Sequence, residues 1–192
     1  MTHKEKRRFV NLTGRVNDLS KIDYTRVLPC LVTVANLLFG FLAIIFIIDS
    51  QVNLGAGMVL LSVLMDSMDG KIARKLKANS DFGKELDSLS DIVSFGLAPA
   101  VMIYVVVYQT HLPFWGLWLS AFFAICGALR LARFNVLNVS DYFIGVPITF
   151  AGGFMALLLL FAQTIPWQVF PVMMLLLSVL MISSLQVPKL GK

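Results

Sequence analysis

The sequence predicts an all-α integral membrane protein of six transmembrane helices with both termini on the cytosolic side. Of its 192 residues, 58% are apolar and only 14% charged, with a mean hydropathy of +0.82. A soluble domain carries roughly 25% charged residues. The apolar residues gather into runs that reach or approach the roughly 20 residues a bilayer requires. The 16 lysines and arginines fall only in the N-terminal tail, the 71–84 turn, the Arg130–Arg133 corner and the C-terminal tail. The intervening connections, near Asp49, His111 and Pro166, hold none. This alternation is the positive-inside pattern, and it requires an even number of spans. The expected organisation is a basic cytosolic segment, 1–26, and one transmembrane domain, 27–192.

Within the first segment Phe9, Leu12, Val16 and Leu19 recur at helical spacing, as in a helix lying on the membrane surface. Its basic residues suit anionic headgroups. Asn11, Thr13 and Gly14 weaken such a helix, so a solvated tail is the alternative. No small-residue cleavage site follows the basic head, and insertion through the first span is the simpler reading.

That span, Val27–Ile48, enters through Pro29 and ends at Asp49. The second starts near Val52, but its uncharged part stops at Met65, short of a bilayer crossing. The helix must therefore continue through Asp66 and Asp69 to about Ile72. The third mirrors it, starting near Gly83, carrying Asp87 and Asp91 in its first turns and running to about Tyr108. Pro113–Phe134 is the fourth, with Arg130 and Arg133 at its end; Gly145–Gln163 and Trp167–Leu185 are the fifth and sixth. Cys30 and Cys126 match no metal spacing and read as packing residues. His3 and His111 have no nearby nucleophile or ligand partner in sequence, and no nucleic-acid partner is expected.

Carboxylates at the ends of apolar spans are costly, which argues for a function. Asp66 and Asp69, and likewise Asp87 and Asp91, are spaced to share one helix face. The connection Lys71–Phe82 reverses the chain and can bring the pairs together. Four gathered carboxylates repel unless protonated or neutralised by cations. Oxygen ligands of this kind suit Mg²⁺, Mn²⁺ or Ca²⁺, and four aspartates suit two ions. Nearby cations, with glycine backbone at Gly70 and Gly83, would complete a phosphate site. The same aspartates could instead form an ion pathway in a transporter, or structural ion pairs with the arginines.

The spacing of Asp66, Asp69, Gly70, Ala73, Arg74, Gly83, Asp87 and Asp91 resembles the signature of the CDP-alcohol phosphotransferase family. Six spans, with the signature across the second and third, also resemble that family's fold. The stretches Asp87–Ala100, Leu129–Asn135 and Phe143–Pro147 are similar to the branch whose acceptor is serine. So is the first span, with Pro29, Thr33, Asn36 and Gly40, although Cys30 stands where an asparagine commonly follows the proline.

This resemblance implies a CDP-diacylglycerol donor, or its archaeal ether analogue, and an L-serine acceptor. It implies Mg²⁺ or Mn²⁺, two per site, on Asp66, Asp69, Asp87 and Asp91, with Asp91 also the general base. Gly70, Ala73, Arg74, Gly83 and Asn36 would line the nucleotide and pyrophosphate. A serine carboxylate needs a cation, which points to Arg130 and Arg133, with Asn135 and Ser94 beside them. A homodimer in the membrane, with a cytosolic active site, is the expected assembly; in a prokaryote it would lie in the cell membrane. Rivals are a family member using glycerol 3-phosphate or an inositol phosphate and, from another class, an ion-coupled transporter.

Overall fold

A computed structural model describes residues 24–76, 80–137, 142–183 and 186–188. The surface helix expected within 1–26 lies outside the described residues. Helix α1, Tyr24–Ile48, and helix α2, Val52–Leu76, form a tight hairpin through Ser50, which adopts a left-handed φ of 62°. Helix α2 runs unbroken past Asp66 and Asp69, as its short uncharged part demanded.

The third span is a composite. It comprises α3 (Asp81–Asp91), a π-helical stretch π1 (Ile92–Leu97), α4 (Ala98–Ile103), a second π-helical stretch π2 (Tyr104–Tyr108) and a last turn, α5 (Gln109–His111). Ser80 starts it: extended at φ −135°, its hydroxyl accepts the Gly83 N–H at 3.0 Å, and Asp81 complements the helix dipole. Pro99 offers no N–H to the Phe95 carbonyl one turn back, and its ring crowds that carbonyl. The wider π turn before it relieves the crowding.

Helix α6 (Pro113–Leu137), helix α7 (Ile148–Leu160) and helix α8 (Val169–Ile182) follow. Asp81–His111 is the central span: 61% of its apolar window is buried, against 28% for the windows in α1 and α6. It packs on α1, α6 and α7, and its Phe95, Met102, Ile103 and Tyr108 are among the largest buried side chains of the core. Leu31, Leu38, Phe41 and Ile45 on α1, and Trp115, Trp118 and Ile125 on α6, face outward. Only a lipid solvent makes such a surface stable.

Among the described residues four helices are long and apolar enough to cross a membrane, so the protein is a multi-pass membrane protein. The fifth and sixth apolar segments form helices of only 13 and 14 residues. Pro147 sets the start of α7, and turns at Phe161–Ile165 end it. Before it, Gly145 sits at φ +74°, where a Cβ would fall 2.9 Å from the Leu180 carbonyl oxygen. A side chain is excluded there on both counts. Among the described residues a ribbon departs from the all-α expectation, pairing β1 (Tyr142–Ile144) antiparallel with β2 (Gln186–Pro188).

Candidate active site

Helices α2 and α3 bring their carboxylates together, as the reversal between them allows. Asp66, Asp87 and Asp91 bring carboxylate oxygens within 4.8 Å of one another. Asp66 and Asp87 are half-buried and Asp91 is 7% exposed. Asp66 and Asp91 lie within hydrogen-bonding reach of each other, a contact two carboxyl groups make only by sharing a proton or a cation. Asp69, Ala73 and Arg74 fall on the last turns of α2, and their side chains lie outside the described residues.

The donor set fits a hard divalent cation. Oxygens around an octahedral Mg²⁺ at about 2.1 Å stand roughly 3 Å apart in cis and 4.2 Å in trans. Small side-chain rotations of the three aspartates would reach that spacing. Among the described residues the cluster offers oxygen ligands alone, the kind a hard cation takes.

Two neighbours hold these carboxylates. Asn36, from the middle of α1, points its amide Nδ2 at Asp91 Oδ1, 3.5 Å away. Thr149, in the first turn of α7, brings its hydroxyl within hydrogen-bonding reach of Asp66. Sequence reasoning passed over Thr149; its one signal was a hydroxyl residue just past Pro147 at the mouth of an apolar span.

The remaining candidates separate. A Cβ built on Gly70 would meet no atom within 4 Å among the described residues, while Gly83 packs against its cap, Ser80. Arg130 is half-buried on α6 and feels the charge of Asp91; its Nε is buried with no hydrogen-bond partner among the described residues. Arg133 is exposed and donates to the Ile182 carbonyl at 3.5 Å. Asn135 is engaged elsewhere: its side-chain amide donates to Ser88 Oγ at 3.0 Å, and its backbone carbonyl accepts from Lys84 Nζ at 3.3 Å. Ser94 is fully buried, its hydroxyl bound to the Asn36 carbonyl at 3.0 Å. The structure thus gathers Asp66, Asp87, Asp91, Asn36 and Arg130, and directs Asn135 and Ser94 to neighbouring helices.

Helices exposing apolar faces around a carboxylate cluster fit for hard cations define a membrane protein with a candidate metal site. Comparison with known proteins narrows the class. A profile described as CDP-alcohol phosphatidyltransferase matches residues 26–184. A CDP-diacylglycerol–serine O-phosphatidyltransferase of Methanocaldococcus jannaschii is 44% identical over 160 residues, 82% of this chain and 72% of that one. One of Bacillus subtilis is 41% identical over 126 residues, 65% of this chain and 71% of that one. An archaetidylserine synthase of Methanothermobacter thermautotrophicus is 37% identical over 177 residues, 91% of this chain and 74% of that one. The chain belongs to the CDP-alcohol phosphatidyltransferase family and is a transferase of phospholipid biosynthesis.

Proposed function

We propose that the protein transfers the phosphatidyl group of CDP-diacylglycerol, or of its ether analogue, to L-serine and releases CMP. The observation that carries this is the Asp66–Asp87–Asp91 cluster in a chain up to 44% identical to serine phosphatidyltransferases.

The serine hydroxyl attacks the phosphorus that bears the diacylglycerol. A serine Oγ–P bond forms, the bridging P–O bond to CMP breaks, and CMP leaves with that electron pair. Asp91, the most buried of the three carboxylates, accepts the hydroxyl proton. Asp66, Asp69 and Asp87, with Asp91 shared, would hold two divalent cations, which when bound would supply positive charge to offset that of the pyrophosphate. Arg74, Gly70, Ala73 and Gly83 line the nucleotide and pyrophosphate. Half-buried Arg130, beside Asp91, holds the serine carboxylate, with Arg133 further out. Holding nucleophile and leaving group in line is the larger part of such catalysis.

The topology in this reading has six spans, with α7 and α8 completing the bundle, and both termini and the site cytosolic. The distribution of basic residues supports it. A homodimer comes from the family resemblance, and cross-linking in native membranes tests it. The deciding assay incubates purified protein with labelled CDP-diacylglycerol, Mn²⁺ or Mg²⁺, and serine, glycerol 3-phosphate or inositol phosphate in turn. CMP release with serine alone is expected; release only with a phosphorylated acceptor would overturn the assignment.

A further inference from the structure

Among the polar side chains of the spans, Asn36 is buried against the carboxylate cluster. It is 0% exposed. Its backbone carbonyl accepts two serine hydroxyls, Ser62 from α2 at 3.2 Å and Ser94 from π1 at 3.0 Å. Ser62 lies one turn before Asp66, and Ser94 lies three residues after Asp91. One turn earlier on α1, the Thr33 carbonyl accepts Ser90 Oγ at 3.1 Å. The α1 backbone at 33–36 is thus fastened to both helices that supply the carboxylate cluster.

From that anchor the side chain reaches Asp91, Nδ2 to Oδ1, at 3.5 Å. With the amide reversed, two oxygens would oppose each other. The chosen orientation leaves Asn36 Oδ1 buried without a hydrogen-bond partner among the described residues. The contact is long, as catalytic hydrogen bonds often are before substrate tightens them.

We propose that Asn36 is a positioning residue: held on a backbone fastened to both halves of the carboxylate cluster, its amide orients Asp91 toward the acceptor hydroxyl, without touching the nucleotide. The inference rests on the reading of Asp91 as the base. Partners that orient the groups of such a site typically contribute 10–100-fold in activity.

The test uses purified full-length protein in lipid nanodiscs with CDP-diacylglycerol, L-serine and Mn²⁺. Asn36→Leu, close in volume and unable to donate, should lower kcat about 10–100-fold. The KM for CDP-diacylglycerol and the Kd for CDP should stay within about twofold of wild type, because no nucleotide contact is lost. Asn36→Ser, a smaller change that stops short of Asp91, should show the same split and serves if the leucine protein does not fold. A rise in donor KM or CDP Kd matching the fall in kcat would make Asn36 a nucleotide ligand and overturn the proposal. Undiminished kcat would overturn it too. Asp91→Asn is run alongside: if it turns over freely, the base reading falls; if it is dead while both Asn36 variants are active, the positioning role alone falls.

Discussion

Gly40 of α1 lies directly against Ser94 of π1: a Cβ built on the glycine would stand 2.6 Å from the Ser94 Cα. The obstructing atom is backbone, so no rotamer change makes room. Gly40→Ala should therefore push α1 away from the third span, at the level where Asn36 and Ser94 are joined. Overpacking of this kind costs about 1–3 kcal/mol. A lowered melting temperature in detergent, with weakened turnover, is the expected outcome. An alanine protein as stable and active as wild type would mean that the two helices are not held this closely.

Chelation should stop the reaction. Three carboxylates within 4.8 Å of one another cannot all stay charged in a partly buried site without a cation. EDTA should reduce CMP release to background, and excess Mg²⁺ or Mn²⁺ should restore it. With metal present, Asp91→Asn should lower kcat by about 10²–10⁴-fold, the usual contribution of a general base. Metal-independent turnover would remove the phosphate-site model altogether.

The course of the second and third spans was legible because arithmetic forced it. An uncharged run ending at Met65 is too short to cross, so α2 had to carry Asp66 and Asp69 on its own helix, and it does. The start of α3 was readable to within a few residues for the same reason. Helix rotation and reach were not readable. Ser94 looked free in sequence, yet the π turn from Ile92 to Leu97 directs it into α1; hydrophobic spacing does not distinguish π from α turns. Asn135 looked available, but Ser88 and Lys84 engage it from α3. The ribbon between Tyr142–Ile144 and Gln186–Pro188 joins segments far apart in the chain, and three-residue strands leave no period to detect. The fifth and sixth apolar segments were read as longer helices than they form, because hydropathy continues through the turns at Phe161–Ile165.

Thr149 offers a test of a residue that only the structure brought forward. Its hydroxyl is in reach of Asp66 across the α2–α7 contact. Thr149→Val keeps the shape of the side chain and removes the hydrogen bond. A partner orienting a metal-binding carboxylate is typically worth 10–100-fold. The valine protein should need about that much more Mn²⁺ for half-maximal activity, with near-normal rates at saturating metal. An unchanged metal requirement would leave Thr149 a packing residue of the α7 mouth.

Arg130 and Arg133 were equivalent in sequence, three apart at the end of one span, and the structure makes them unequal. Arg130 is half-buried, feels the charge of Asp91 and keeps a buried Nε without a partner among the described residues. Arg133 is exposed, and its guanidinium reaches the Ile182 carbonyl at the end of α8. A hydrogen bond to a charged group contributes about 1.5–3 kcal/mol, or roughly 10–100-fold in affinity. Arg130→Ala should therefore raise the serine KM about 10-fold or more while changing the CDP-diacylglycerol KM little; Arg133→Ala should change the serine KM by less than about threefold. Arg130→Lys should recover only part of the loss, because an ammonium lacks the planar fork that grips a carboxylate from two nitrogens. Equal effects of Arg130→Ala on both substrates would point to the pyrophosphate as its partner. A larger serine effect at Arg133 would mean that the acceptor enters from the exposed side of α6.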